Sequence, residues 1–144
     1  MLDLASGSGL VAIAAAAAGA ASVTPSETDP LAAASITLNA GVNRVRLEPT
    51  VGDLLSDPDP GLGLELARAD VVLAGDAFYD REMAGRMLPF LERASQAGAL
   101  VLVGDPGRAY LPRERFAQVT TYDVPVERVI EDADVKPTTV WRVR

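Results

Sequence analysis

The chain has 144 residues, 49% of them hydrophobic, enough for one domain with a buried core. It holds no cysteine and no histidine, which excludes disulfides, thiol nucleophiles, Ser-His-Asp triads and zinc sites built from those side chains. A net charge of −7 disfavours nonspecific binding to nucleic acid or an anionic membrane, and favours a basic protein surface or a cationic small molecule.

Residues 1–5 read as the remnant of a strand, and 9–20 as an Ala-rich helix entered through glycine. The run "LVAIAAAAAGAAS" has no basic residue before it, the first being Arg44, so it lacks the positive start of a signal peptide. It is also too short to span a bilayer, so the reading is a buried helix in a cytoplasmic protein. "SVTPSE" (22–27) is a weak strand whose Pro25 suits an edge or a strand end. Asp29 and Pro30 then pair an N-cap with a first helical position, and that helix runs to about Gly41. "NRVRLEP" alternates as a strand, and "GDLLSDPDPGLG" is a Pro/Gly-rich loop.

"ADVVLAGD" and "GALVLVGD" are continuous apolar runs of the kind found in central parallel strands buried on both faces. Between them, 81–97 carries Met83, Met87, Leu88 and Leu91 at helical spacing. "RFAQVTTYDV" and "TTVWRVR" follow without a long helix between them, and predict an antiparallel pair at one side of the sheet. The order of elements predicts an α/β, Rossmann-like, doubly wound and mostly parallel sheet with an antiparallel C-terminal strand pair. Ligands bind such sheets at the carboxyl ends of the strands, where Asp3, Glu27, Asp53, Asp76 and Asp105 stand.

"GSGLVA" satisfies G-x-G-x-x-A, and Glu27 lies 20 residues after Gly7, which is formally a dinucleotide fingerprint and the mark of an oxidoreductase. Asp3 argues against it, because a carboxylate beside the loop repels a pyrophosphate. It favours a ligand with positive charge. S-adenosyl-L-methionine carries an ammonium and a sulfonium, with a ribose for Glu27 and an adenine for Asp53. Structural roles compete at each position. Asp3 and Glu27 fit loop caps, Asp76 fits the N-cap of the next helix, Phe78 and Tyr79 fit core aromatics, and "GDPGR" fits a plain turn.

"LDLASGSG" resembles the first motif of the class I, seven-strand methyltransferases, with Ala5 where a glycine often stands. "ETDP" is similar to their D-x-D-P segment, and "GDLL" to the stretch bearing their adenine-side acid. "GDAFYD" (75–80), "LVGDPGRAYLP" (102–112) and "TTVW" (138–141) resemble the lysine methyltransferases of the electron-transfer flavoprotein beta subunit, over essentially the whole chain. Bacterial relatives of that group carry names such as nicotinamide N-methyltransferase-like or ribosomal protein L11 methyltransferase-like. The resemblance implies in-line methyl transfer from S-adenosyl-L-methionine to a lysine amine of a protein substrate. Asp3, Ala5, Gly7 and Gly9 would frame the methionine end, Glu27 the ribose and Asp53 the adenine. Asp76 and Tyr79 match a D-x-x-Y motif that lines the site of the methyl acceptor.

Small-molecule N-methylation of the nicotinamide type is the alternative activity. A noncatalytic remnant acting as an interaction protein is a third reading. The family has Val where Met1 stands, preceded by the rest of the first strand and by N-terminal helices. The expectation is therefore a domain over 1–144 that lacks those parts, with Met1 an internal GTG codon read as a start, or a truncated gene. The sequence also departs from the family at Pro25 within the second strand and at Glu27, where the family has Asp.

Overall fold

The computed structural model describes residues 1–56, 69–126 and 134–144. In chain order the elements are β1 (Leu2–Leu4), α1 (Leu10–Ala17), β2 (Thr24–Glu27), α2 (Pro30–Val42), β3 (Thr50–Val51), β4 (Val71–Gly75), α3 (Arg81–Gln96), β5 (Leu100–Asp105), a 3-10 turn at Arg113–Arg115, β6 (Phe116–Pro125) and β7 (Val135–Val143). The strands form one sheet in the order β3-β2-β1-β4-β5-β7-β6. The pairs β2/β3, β1/β2, β1/β4 and β4/β5 are parallel, while β7 runs antiparallel to both β5 and β6. From β1 the chain winds outward to β2 and β3, then returns to place β4 on the other flank of β1. That reversal opens a crevice at the carboxyl ends of β1 and β4.

Local chemistry accounts for most of the elements. β4 and β5 bury Val72, Ala74, Val101 and Val103, as unbroken apolar runs do in a central sheet position. α3 starts where the Asp80 side chain accepts from the Met83 N–H, and it buries Ala84, Met87, Leu91 and Ala94 at spacings of three and four. α2 starts in the same manner, with the Asp29 carboxylate accepting from the Leu31 N–H and Pro30 following it. One core joins β1, β4 and β5 to α3, and there Phe78 and Phe116 meet edge to face with their centroids 5.9 Å apart. A smaller one joins α1 and α2 through Ala12, Ile13, Ile36, Ala40 and Leu47.

Three local expectations change. β2 is not an edge, since it lies between β3 and β1. Pro25 is tolerated because the Thr24 N–H and Ser26 carbonyl serve β1, while its own missing N–H faces the β3 side ahead of the first β3 partner. Residues 43–49 are not a strand; only Thr50–Val51 join the sheet. Register would set Pro49 opposite Pro25, so the ladder has no donor there, although Leu47 still turns inward. The Ala-rich segment is a helix only over Leu10–Ala17, and it buries Ala12 and Ile13 while Leu10 is exposed. It is a half-covered helix, because eight residues offer only a narrow stripe to the sheet. Among the described residues no helix is long and apolar enough to cross a membrane. Residues 57–63 of the expected Pro/Gly-rich loop lie outside the described residues.

Candidate active site

The turn leaving β1 winds through left-handed backbone at Ala5 (φ 54°), Gly7 (56°) and Gly9 (89°). It is tied down at both ends, with the Ser6 N–H on the Ser26 carbonyl at 3.0 Å and the Gly9 N–H on the Ser6 carbonyl at 2.9 Å. The two glycines serve different needs. A Cβ at Gly7 would meet nothing within 4 Å, so this position presents bare backbone to open space. A Cβ at Gly9 would lie 3.0 Å from Ile36, so this glycine lets α2 pack on the loop.

Beside this turn lies a cleft of about 600 Å³, within the usual size of a small-molecule site. Its lining includes Ala5, Gly7, Glu27, Asp53, Asp76 and Tyr79, six of the eight predicted site residues. The other two lie elsewhere. Gly9 is packed on Ile36, and Asp3 sits beneath the turn, only 1% exposed. Its Oδ2 accepts from the Ser6 hydroxyl at 2.5 Å and the Ala12 N–H at 3.0 Å, which clamps the turn to the start of α1. Its Oδ1 is buried without a partner among the described residues. Burial pushes the Asp3 carboxyl up to about 6, against the opposing pull of those two hydrogen bonds.

Glu27 ends β2 and reaches back to β1. Its Oε2 accepts from the Gly7 N–H at 2.7 Å, and its Oε1 accepts from the Thr28 N–H at 2.7 Å. A carboxylate has about four acceptor positions, so Oε2 keeps one for a hydroxyl in the cleft. Asp53 follows β3 and pairs with Arg86 of α3 at 2.5 Å, while Arg86 also donates to the Ser56 hydroxyl. Partial burial raises the Asp53 carboxyl, but the bonds from Arg86, Ser56 and the Leu55 N–H together bring it below the ordinary range.

Asp76 stands just past β4 in left-handed backbone (φ 52°), its N–H on the Gly104 carbonyl at 2.7 Å. It does not cap α3, which is Asp80's part. Its carboxylate takes a two-point contact from Arg108, Nε to Oδ1 at 2.6 Å and Nη2 to Oδ2 at 2.7 Å. Arg108 is held in turn by Asp105, whose Oδ1 accepts from the Gly107 and Arg108 N–H groups at 2.7 and 2.8 Å. Of the two adjoining aromatics, Phe78 is core and Tyr79 is 60% exposed at the cleft. A second depression of about 400 Å³ shares Ala5, Ser6, Gly75 and Asp76 with the cleft. Asp3, Leu10, Val11, Arg108, Val124 and Lys136 complete most of its wall.

Arg86 and Arg108 are the residues that sequence reasoning missed. Arg108 lies inside the "GDPGR" segment, whose turn chemistry is legible, but its partner is 32 residues away. Arg86 carries no local signal at all.

A β3-β2-β1-β4-β5-β7-β6 sheet with a glycine turn after β1 and an acid after β2 is the architecture of the Rossmann-like methyltransferases. The sequence profile of ribosomal protein L11 methyltransferase (PrmA) matches residues 1–75, over half the chain, and the chain belongs to that family. Over 98% of its length it is 31% identical to the electron transfer flavoprotein beta subunit lysine methyltransferase of Mus musculus, covering 55% of that protein. The Homo sapiens protein of the same name is 32% identical over the same share, with 53% of it covered. The chain thus spans about half the length of these relatives. In three dimensions it is similar to Thermoplasma acidophilum 1320, with a TM-score of 0.70 at 17% identity over 99% of this chain and 77% of the other. It is also similar to the Pyrococcus abyssi tRNA (uracil-54, C5)-methyltransferase solved with S-adenosyl-L-homocysteine, with a TM-score of 0.65 at 16% identity over 99% of this chain and 33% of the other. These two likenesses establish the fold.

Proposed function

We propose that the chain is the catalytic domain of an S-adenosyl-L-methionine-dependent protein-lysine N-methyltransferase, with the electron transfer flavoprotein beta subunit as its substrate. The observation that carries this reading is the single cleft lined by the bare Gly7 backbone, Glu27, Asp53 and the Asp76–Tyr79 pair. The names of the relatives matched over 98% of the chain point the same way.

The residues fit the cofactor. Glu27 would hold the ribose through the free position on Oε2, and the Asp53–Arg86 pair would face the adenine. The glycine turn would receive the methionine end, with Asp3 fixing the turn from below. When bound, S-adenosyl-L-methionine supplies a methyl group on a positively charged sulfur, an electrophile that needs neither metal nor thiol. The remaining work falls to the protein's own groups. Asp76 and Tyr79 orient the acceptor amine at the mouth of the cleft, so that alignment contributes much of the rate. A lysine amine has an ordinary pKa of about 10.4, so its proton must leave before the nitrogen lone pair can attack. Water takes that proton.

The net charge of −7 suits a lysine on a basic protein face, not nucleic acid or an anionic lipid surface, and cytoplasmic action fits this partner. Calorimetric titration with S-adenosylhomocysteine tests the reading. Micromolar binding by the full chain, with at least tenfold weakening in Glu27→Ala, is the expected result, followed by methylated lysine in the flavoprotein by mass spectrometry. Tighter binding of a nicotinamide dinucleotide than of S-adenosylhomocysteine would overturn it.

A further inference from the structure

Asp105 and Trp141 each carry a buried polar atom without a hydrogen-bond partner among the described residues, Oδ2 of the acid and Nε1 of the indole. Such atoms are rare in folded proteins, because an unused buried donor or acceptor is destabilising. The sheet sets the two side chains near each other. Asp105 pairs with Thr139 between β5 and β7, and Trp141 stands two residues further along β7, so both project from the same face. Asp105 is 1% exposed, and its Oδ1 is taken by the Gly107 and Arg108 N–H groups. Only Oδ2 is left to accept.

Both residues line a hollow of about 260 Å³, with Pro106, Pro137 and Thr139 in its wall. The Thr139 hydroxyl is already engaged with that of Thr121 at 2.9 Å. Arg113 also lines the hollow, its guanidinium lying over the turn, where a Cβ at Gly107 would be 3.9 Å from Nη2. Neither unused atom is open to water, and the long, exposed Arg113 side chain is a cover that can swing aside.

The unused atoms define what fits. An ammonium would give Oδ2 a donor but leave the indole N–H unanswered. A carboxylate would answer the indole and be repelled by Asp105. A water can answer both, but at about 30 Å³ it is small for the space. A carboxamide offers a carbonyl oxygen and N–H donors in one neutral, flat group, and the prolines give its faces apolar wall.

We propose that this hollow binds a carboxamide, presented as an Asn or Gln side chain of the protein substrate near the acceptor lysine. The binding chemistry stands on the two unused atoms, while its service to the substrate rests on the transferase reading above. The path to the acceptor is short. The Asp76 N–H bonds the Gly104 carbonyl, and Asp105 is the next residue in the chain.

Trp141 is the only tryptophan, so its indole N–H gives a single resonance. The full chain is titrated with propionamide and, separately, with propionate, propylammonium and n-propanol, while the indole proton–nitrogen correlation is followed. Propionamide is expected to shift that signal saturably with a Kd in the millimolar range, about fivefold or more tighter than the other three. Asp105→Asn keeps an oxygen for the turn but puts a donor in place of Oδ2, and is expected to weaken propionamide about fivefold or more. Trp141→Phe removes the donor from the opposite strand, and saturation transfer to the ligand is expected to show a similar loss. Thermal melts of both variants report whether they are folded. Short peptides with one central lysine then carry a single Gln through the flanking positions, against Ala at each. At one position Gln is expected to tighten binding to the S-adenosylhomocysteine-saturated chain about fivefold or more, a gain that Asp105→Asn removes.

An indole signal that propionamide does not move, or that all four probes move alike, overturns the proposal, since the two atoms then hold only water. Propionamide binding with no preferred Gln position overturns the substrate assignment and makes a free carboxamide the ligand, with the transferase reading untouched. A chain that binds propionamide but no S-adenosylhomocysteine removes the transferase reading and the substrate role, and leaves the chemistry of the hollow standing.

Discussion

The Gly7 N–H donates to Oε2 of Glu27 at 2.7 Å, and this bond ties the ends of β1 and β2 together across the floor of the cleft. An Asp at this position would lack one methylene of reach, so the length of the Glu27 side chain is what makes this contact. Glu27→Asp is expected to lose the Gly7 bond and about 1–2 kcal/mol of stability, as a hydrogen bond to an ionised acceptor does. Urea denaturation measures this. An unchanged midpoint would show that the bond contributes nothing to the fold.

Asp3 sets a pH dependence whose sign follows from its burial. Its folded pKa of about 6 lies above the unfolded value, so the folded chain binds more protons between the two. Stability therefore falls as pH rises through that window, and the penalty is complete above about pH 6. Lowering the pH from about 7.5 to about 5 is expected to add about 1 kcal/mol to the unfolding free energy. The chain has no histidine to act in that range, and the lowered Asp53 titrates below it. Asp3→Asn is expected to flatten the slope, which thermal melts in matched buffers read directly.

Ala5 holds φ at 54°, in the left-handed region where a Cβ is strained. Left-handed backbone costs a non-glycine residue roughly 1–2 kcal/mol, partly offset by the greater unfolded freedom of glycine. Ala5→Gly is expected to stabilise the chain by about 0.5–1 kcal/mol without weakening S-adenosylhomocysteine binding. A lower urea midpoint in this variant would mean that the Ala5 methyl packs more than it strains.

Phe78 and Tyr79 are neighbours with opposite fates, one fully buried against Phe116 and the other exposed at the cleft. Phe78→Ala is expected to cost about 3–5 kcal/mol of stability, the range for removing a buried ring. Tyr79→Ala is expected to leave stability within about 0.5 kcal/mol and to act on acceptor binding alone. Chemical denaturation of both variants separates the two roles.

Asp76→Asn isolates charge from backbone, because Asn tolerates the left-handed conformation at φ 52° that Asp76 adopts. Methyl transfer is expected to fall at least about tenfold, while S-adenosylhomocysteine affinity stays within about twofold. A matching loss in both would place Asp76 in the cofactor site instead of the acceptor site.

Short-range chemistry is legible in the sequence. Apolar runs marked β4 and β5, the Asp-Pro pair marked the start of α2, and spaced methionines and leucines marked α3. Each depends on neighbours within a turn or a strand, so local pattern suffices. The same locality failed at residues 43–49, where alternation promised a strand but β2 offers no donor ahead of Ser26, since Pro25 lacks the N–H that would face β3. The glycine turn was likewise readable, and six of the eight predicted site residues line one cleft.

Only the tertiary structure decided what those acids are doing. Asp3, expected beside a ligand, lies under the loop as its clamp, because the close packing of α1 on β1 leaves it no access to water. Asp53 and Asp76 are each held by an arginine 33 and 32 residues further along the chain. Sequence spacing carries no record of such pairs. They form because folding sets the loop after β3 beside α3 and brings the β4–α3 and β5–β6 turns to the same end of the sheet, where unlike charges at contact distance are drawn together.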